Sequence, residues 1–151
     1  KLLIGLGVAH YNLGQIDEAI ESWQRATFIL PEQTEAYVNL GKAYRERGAA
    51  AEAVSHLRRA LERGPRNDQL FFLLHSLGLS YMDLGRFDEA VPVLENAVAL
   101  RADADAYLHF GIACLRSGRK AMALGAITRS LELSPEQPKA LRLLDILREP
   151  N

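Results

Sequence analysis

The sequence has few of the residues that carry covalent or metal chemistry. Its 151 residues include one cysteine, so no disulfide can form within the chain. This leaves the redox compartment open, with a reducing interior such as the cytoplasm as the expectation. Four histidines follow no metal-ligand spacing, and no carboxylate pair has a recognisable acid–base arrangement. We therefore predict no catalytic residue, no metal and no cofactor.

An excess of charge of one sign is also missing. The chain has 18 Lys and Arg against 19 Asp and Glu, which gives a formal net charge of -1. A nucleic-acid-binding protein usually gathers a basic excess on one face, because contacts with phosphates supply much of its affinity. No run approaches the roughly 18 to 20 uninterrupted apolar residues of a membrane span. The sequence thus predicts neither nucleic-acid binding nor membrane insertion.

What the chain does contain is a fourfold internal repeat. One glycine column is Gly7, Gly41, Gly78 and Gly111, and its successive separations are 34, 37 and 33 residues. The same three separations recur in a second glycine column and in two columns of small residues. These columns are Gly14, Gly48, Gly85 and Gly118; Ala19, Ala53, Ala90 and Ala123; and Ala26, Ala60, Ala97 and Ser130. A repeat this regular predicts a stack of similar structural units.

Each unit has the pattern of two helices. In the second unit Tyr37, Leu40 and Tyr44 recur at the three- and four-residue steps of one helix face, and Leu57 and Leu61 do so in its second half. The glycine between the halves suits a tight turn that leaves the helix. Each unit is therefore predicted to be a helical hairpin, which must stack on its neighbours to cover its apolar face.

These columns resemble the tetratricopeptide repeat, in which an aromatic residue, Leu-Gly, Tyr, Ala and Pro recur over about 34 residues. The second unit shows the pattern best, with Tyr37, Leu40, Gly41, Tyr44, Ala53, Leu57, Ala60 and Pro65. The resemblance implies an all-α fold, a right-handed superhelix of four helix–turn–helix repeats in a single domain, 1–151. The predicted repeats cover about 1–33, 34–67, 71–103 and 104–137, and 138–149 form a ninth helix, either a cap or the first helix of a truncated fifth repeat.

Two departures from the pattern carry further predictions. Three extra residues precede the third repeat, where Asn67 and Asp68 favour a helix start, so we expect one more turn at the front of that helix. Pro92 lies near the start of the following helix and would remove a backbone hydrogen bond beyond its first turn. We expect a local kink or a late helix start there.

The stretch YLHFGIACLRSGRK, residues 107–120, is the part of the sequence that most resembles an active site. However, Cys114 occupies the column of Tyr44 and Tyr81, so we predict a buried packing residue. His109 lies five residues away, roughly 140° around the helix axis at about 100° per residue. The stretch therefore reads as the first helix of a fourth hairpin.

In proteins similar to this family, the first helix of each hairpin lines a concave groove that binds a peptide or a partner protein. Helical geometry then gives the side chains that point into the groove, many of them apolar. The candidate groove residues are Val8, Tyr11, Asn12, Asn39, Lys42, Arg45, Phe72, His75, Leu79, Met82, His109, Ile112 and Arg116.

One subclass of the family clamps a carboxyl-terminal peptide with lysine, arginine and asparagine at defined groove columns. In repeats one to three those columns hold Ile4, Val8, Asn39, Phe72 and Ser76, of which only Asn39 fits. When the columns are shifted by one repeat, only Lys42 fits. The sequence therefore does not predict this clamp.

The resulting hypothesis is a non-catalytic module that binds an apolar or amphipathic segment of a protein partner in its groove. Two alternatives stay open. The chain could be a structural scaffold that self-associates as a homo-oligomer through its ends or its groove. It could also be the substrate-recruiting arm of a larger enzyme. The position of the exposed apolar surface, at the ends or in the groove, distinguishes the partner-binding module from the self-associating scaffold.

Overall fold

The fold is described by a computed structural model covering residues 1–149, and within that range it contains helices and no strand. The helices are α1 (Leu2–Asn12), α2 (Ile16–Ile29), α3 (Thr34–Glu46), α4 (Ala50–Glu62), α5 (Asn67–Asp83), α6 (Phe87–Leu100), α7 (Ala104–Arg116), α8 (Lys120–Leu133) and α9 (Pro138–Arg148). α1, α3, α5 and α7 each pack on the helix that follows, each hairpin packs on the next, and α9 packs on α8. This consecutive pairing is that of an α-solenoid and confirms the predicted all-α fold class.

Within each hairpin, the first glycine column lets two helices approach closely. A Cβ atom added to Gly41 would lie 2.4 Å from Cγ of Leu57, and one added to Gly78 would lie 2.5 Å from Cγ of Leu94. Both leucines are completely buried, so neither side chain has room to move aside. A side chain in this column would therefore force the two helices apart.

The second glycine column forms the turns within the hairpins. Gly48 has φ +81° and Gly118 has φ +79°, a left-handed conformation that glycine adopts without strain. The amide of the next residue, Ala49 or Arg119, donates a hydrogen bond back to the carbonyl of Tyr44 or Cys114, at 2.8 Å in both cases. This arrangement satisfies carbonyl groups that the end of the helix would otherwise leave unpaired.

The hairpins join through small and apolar columns on the odd-numbered helices. Ala36, Leu40 and Ala43 of α3 form one buried cluster with Trp23 and other residues of α1 and α2. The corresponding columns are also buried in α5 and α7. They hold Leu73, Leu77 and Ser80 in α5, and Ala106, Phe110 and Ala113 in α7.

The structure tests the extra turn predicted for the third repeat and the late helix start predicted from Pro92. α5 has 17 residues against 13 in α3 and in α7, which confirms the additional turn. The helix starts after Arg66, and no side chain caps it; instead Arg66 pairs with Asp68 at 2.6 Å. α6 starts at Phe87, in the same column as the other even-numbered helices, so the late start expected from Pro92 is wrong. Because Pro92 is exposed, water can hydrate the carbonyl that lacks its helical partner.

The last helix, α9, matches the odd-numbered helices on one side only. Ala140 and Leu147 are buried against α8, in the columns that join the other hairpins. However, Asp145 occupies the glycine column, and Arg148 occupies the column of Tyr44, Tyr81 and Cys114. A following helix could not approach Asp145 as closely as Leu57 approaches Gly41. The two predicted alternatives for α9, a cap or the first helix of a further repeat, therefore differ in what Asp145 and Arg148 would contact.

We predict that the two kinds of helical glycine respond oppositely to alanine. Gly41→Ala should lower the free energy of unfolding by about 1–3 kcal/mol, because its Cβ overlaps Leu57. Gly125→Ala in α8 should raise it by about 0.5–1 kcal/mol, because nothing lies within 4 Å of the added Cβ and alanine favours the helix. Urea unfolding of both variants measures the difference. Equal stability of Gly41→Ala and the wild type would show that the glycine column does not set the helix spacing.

Candidate functional site

The candidate groove is the face shared by α1, α3, α5 and α7. One column contributes a side chain from each helix: Val8, Lys42, Leu79 and Ile112. Val8 is 39% exposed and Lys42 is exposed. Leu79 and Ile112 are half-buried. The column is therefore an apolar stripe interrupted by one cation.

A cavity opens in the N-terminal half of the groove. Its volume is about 690 Å³, and it extends from α1 to the start of α5. Ile4 and Val8 give it an apolar floor, while Lys1, Glu35 and Arg66 bring charges of both signs to its rim. It is large enough for several side chains of a bound segment, so it extends the candidate site beyond the residues that the sequence predicted.

Side chains from neighbouring odd-numbered helices are linked across the groove. The hydroxyl of Tyr11 donates to a carboxylate oxygen of Glu46, and the ammonium of Lys42 lies 4.8 Å from the centre of the Tyr11 ring. Burial and this bond to Glu46 raise the pKa of Tyr11. Arg45 donates to Asp83 at 2.7 Å. Tyr11 and Arg45, both predicted to meet a partner, are thus already engaged within the chain.

His75 of α5 and His109 of α7 form another such link. Nε2 of His75 lies 3.1 Å from Nδ1 of His109, within hydrogen-bonding distance. His75 also stacks on Phe71, with 5.8 Å between the ring centres. Burial is the main cause that lowers the pKa of both histidines, to about 4 for His109, whose pKa the neighbouring His75 also lowers. Sequence spacing predicted that both histidines lie in the groove but did not predict the hydrogen bond between them.

The other candidate residues differ in how available they are. Phe72 is exposed and meets Phe71 edge to face, with the guanidinium of Arg101 5.6 Å from its ring centre. The guanidinium of Arg116 lies 4.8 Å from the ring centre of Phe87. Asn12 is exposed, whereas Asn39 and Met82 are half-buried.

One residue on this face was missed. Ile146 of α9 continues the column of Val8 and Ile112, 34 residues after Ile112, and it is 57% exposed. The repeat spacing was sufficient to find it.

The stretch that resembles an active site contains no catalytic arrangement. Cys114 is completely buried, as predicted, and burial raises its pKa to about 11. Arg119 of the same stretch forms an ion pair with Asp88 at 3.4 Å. Among residues 1–149, no group of three or more His, Cys, Asp or Glu side chains is placed to hold a metal ion.

The stacked hairpins and the residue columns define an α-solenoid with a groove along its odd-numbered helices. The sequence pattern of the tetratricopeptide repeat matches residues 4–68 and 75–138. The chain therefore belongs to the tetratricopeptide repeat family, whose members generally mediate protein–protein interactions and are generally non-catalytic.

Comparison with individual proteins gives distant relatives. The chain is 31% identical over 103 residues to the human protein O-mannosyl-transferase TMTC2, which is 68% of this chain and 12% of that protein. It is 25% identical over 134 residues to BBSome complex member BBS4 of Bos taurus, which is 89% of this chain and 25% of that protein. The chain thus spans a quarter or less of these relatives.

Solved structures share the fold. The structure of YrrB, described as a TPR protein with an unusual peptide-binding site, has a TM-score of 0.87 at 23% identity and covers 96% of this chain and 74% of its own. A MamA structure from Desulfovibrio magneticus has a TM-score of 0.89 at 23% identity, with 97% of this chain and 81% of its own covered.

A separate test of the described helices concerns membranes. None of the helices within residues 1–149 combines the length and the apolar character that crossing a bilayer requires.

We predict that Cys114 is inert in the folded protein. At pH 8 a thiol with a pKa of about 11 has a thiolate fraction roughly two orders of magnitude below that of a free cysteine, and burial also blocks access. Labelling with a disulfide reagent such as DTNB should therefore be at least about 100-fold slower in buffer than in 6 M guanidinium. Rapid labelling of the native protein would contradict the packing role.

Proposed function

We propose that the chain binds a segment of a partner protein along the face of its odd-numbered helices. The observation that carries this proposal is the column of Val8, Leu79 and Ile112, which gives the first, third and fourth hairpins an apolar side chain on the groove, with Lys42 in the second. The cavity beside Val8 supports it, since it provides room for side chains of a ligand. The shared fold with YrrB, described as a TPR protein with an unusual peptide-binding site, also supports the proposal.

An amphipathic helix is the ligand that this column suits best. Packed helices lie about 8–10 Å apart, which corresponds to about five to seven residues of an α-helix at about 1.5 Å per residue. A helical ligand running along the groove would therefore meet Val8, Lys42, Leu79 and Ile112 with one side chain about every two turns. A ligand with apolar residues at this interval, and an acidic residue opposite Lys42, would match the column.

We predict that acidic substitutions on this column abolish binding. A displayed library of helical peptides would be selected against the protein, and the affinity of a selected peptide would be measured by fluorescence anisotropy. Val8→Asp and Leu79→Asp should each weaken binding by at least about 10-fold, because a carboxylate facing an apolar side chain loses hydration without gaining a partner. Val8 is the safer of the two for folding, because it is already partly exposed.

Met122→Glu is the matched control. Met122 is exposed on α8, and the same column holds Glu18, Glu52 and Glu89 in the other three hairpins. The substitution therefore adds an acid where the fold already tolerates one, outside the groove. Unchanged peptide affinity in Val8→Asp and Leu79→Asp, with circular dichroism showing intact helices, would refute binding along this column.

Self-association through the N-terminal end is a second candidate, which the position of the exposed apolar surface favours. Leu2 and Leu6 of α1 are 88% and 45% exposed, although their columns are almost completely buried in α3, α5 and α7. Ile29, at the end of α2, is exposed and lines a surface pocket together with Leu2, and the preceding Phe28 is exposed too. α1 contains no Asp, Glu, Lys or Arg, so Lys1, which precedes it, is the charged residue nearest to Leu2 in the sequence.

We predict that this end, if it is an interface, responds to charge. Sedimentation velocity from about 5 to 500 μM should show concentration-dependent dimerisation of the wild type. Leu2→Glu/Leu6→Glu should shift it to monomer, whereas Met122→Glu should not. A wild type that stays monomeric over the whole range would exclude self-association of this chain.

The similarity to an O-mannosyl-transferase keeps the enzyme-arm alternative open. It covers 12% of that protein, so this chain corresponds to a small part of such a molecule. Under this alternative the groove binds the protein substrate of a catalytic domain elsewhere in the same polypeptide. The sequence of the complete gene tests it directly, because it either encodes a catalytic domain or does not.

A further inference from the structure

The two histidines of the groove face each other so that one proton lies between their facing nitrogens. Their facing nitrogens, Nε2 of His75 and Nδ1 of His109, are 3.1 Å apart, and their ring centres are 5.2 Å apart. The difference is about two ring radii, so the nitrogens meet nearly head-on. Two imidazoles that chelate a metal must instead direct their lone pairs to a third point. The geometry is therefore that of an N–H···N hydrogen bond.

The hydrogen bond limits how many protons the pair can hold. When both rings are neutral, one facing nitrogen carries a proton and the other accepts it. A first additional proton can bind a nitrogen that faces away, and this leaves the hydrogen bond intact. A second additional proton must occupy the remaining facing nitrogen, which places two N–H groups and two positive charges against each other. Only the second step is incompatible with the link.

The charged groups around the pair do not remove this conflict. Asp103 and Asp105 at the start of α7 favour the protonated rings, whereas Arg45 of α3 and Lys139 of α9 oppose protonation. Both carboxylates are already engaged. Asp103 accepts from the amide of Ala106 at 2.9 Å, and Asp105 accepts from Nε2 of Gln137 at 2.6 Å.

We propose that His75 and His109 form a proton-controlled link between α5 and α7, which holds the C-terminal half of the groove together and is released when the pair takes up its second additional proton. α5 and α7 contact each other much less than each contacts α6, so a direct bond between them is a substantial part of their connection. His75 lies about one turn from Leu79, and His109 lies about one turn from Ile112. Release would therefore displace the apolar column, an effect on binding that rests on the proposed function.

The direction of the pH effect follows from the pKa values. Both histidines have a lower pKa in the folded chain than the 6.5 of a free imidazole, so the unfolded chain binds more protons in mildly acidic solution. The stability that the pair contributes is complete above pH 6.5 and is lost as the pH falls towards 4. His56 of α4, whose pKa burial also lowers, adds to the same trend and must be held constant.

The variant His75→Gln/His109→Asn tests the link without a ligand. The Gln and Asn amides can replace the two facing nitrogens and keep a hydrogen bond, but they do not titrate in this range. Between pH 6.5 and 5, the unfolding equilibrium constant of the wild type should rise at least about 10-fold more than that of the double variant. His10→Gln, on α1 and far from the pair, is the control and should behave as the wild type.

NMR titration of the imidazole resonances tests the coupling in the wild type itself. The two histidines should titrate in two linked steps below pH 6.5, with backbone shifts in α5 and α7 accompanying the second. In the single variant His109→Asn, His75 should titrate in one step. Independent one-step titrations in the wild type, or the same pH dependence of unfolding in the wild type and the double variant, would overturn the proposal.

These measurements use the chain alone, so their outcome does not depend on peptide binding. If the proton-controlled link is not found while Val8→Asp and Leu79→Asp abolish binding, the groove binds its ligand without control by the histidine pair. If the link is found and the groove variants still bind, the pair is a feature of the fold and the proposed function is wrong.

Discussion

The structure depends on the close contact between a helical glycine and a buried side chain of the following helix. In each hairpin the glycine faces a large residue, Trp23, Leu57, Leu94 or Ile127, and an added Cβ would lie 2.3–2.6 Å from it. This contact brings the two helices of a hairpin together at nearly the same distance four times. Since the turn glycines repeat at the same interval, the hairpins are nearly identical units, and identical units stack with a constant step. One steric constraint on a residue without a side chain therefore sets the geometry of the whole array.

A constant step brings residues that are about one repeat apart in sequence into contact across the groove. Tyr11 meets Glu46, Arg45 meets Asp83 and His75 meets His109, at separations of 35, 38 and 34 residues. The pairs differ in chemistry, because the side chains that face the groove are less buried than the packing columns and can vary more. The scaffold thus determines which positions meet, and the residues at those positions determine whether a hydrogen bond, an ion pair or a titrating pair results.

Sequence reasoning succeeded where packing leaves one solution. Glycine and alanine columns predicted the hairpins, and the column of Cys114 predicted its burial. Sequence reasoning was weaker where one pattern is compatible with several local structures. α5 does start at Asn67, as predicted, but no side chain caps it, and Asp68 pairs with Arg66 instead. Pro92 did not delay α6, because it lies on the exposed side. The pairing of exposed side chains depends on rotamers and distances between neighbouring hairpins, which repeat spacing does not specify.

The two ends of the described solenoid differ in whether their packing columns are buried or exposed. At α9 the packing columns are buried on α8, and Asp145 and Arg148 replace the residues on which a further helix would pack. At α1 the corresponding columns keep the apolar residues of an internal helix, with Leu2 and Leu6 exposed. Burying such residues is favourable by about 25 cal/mol per Å² of apolar surface. The groove differs from this end, because contacts such as Arg45–Asp83 and His75–His109 already hold part of it together within the chain.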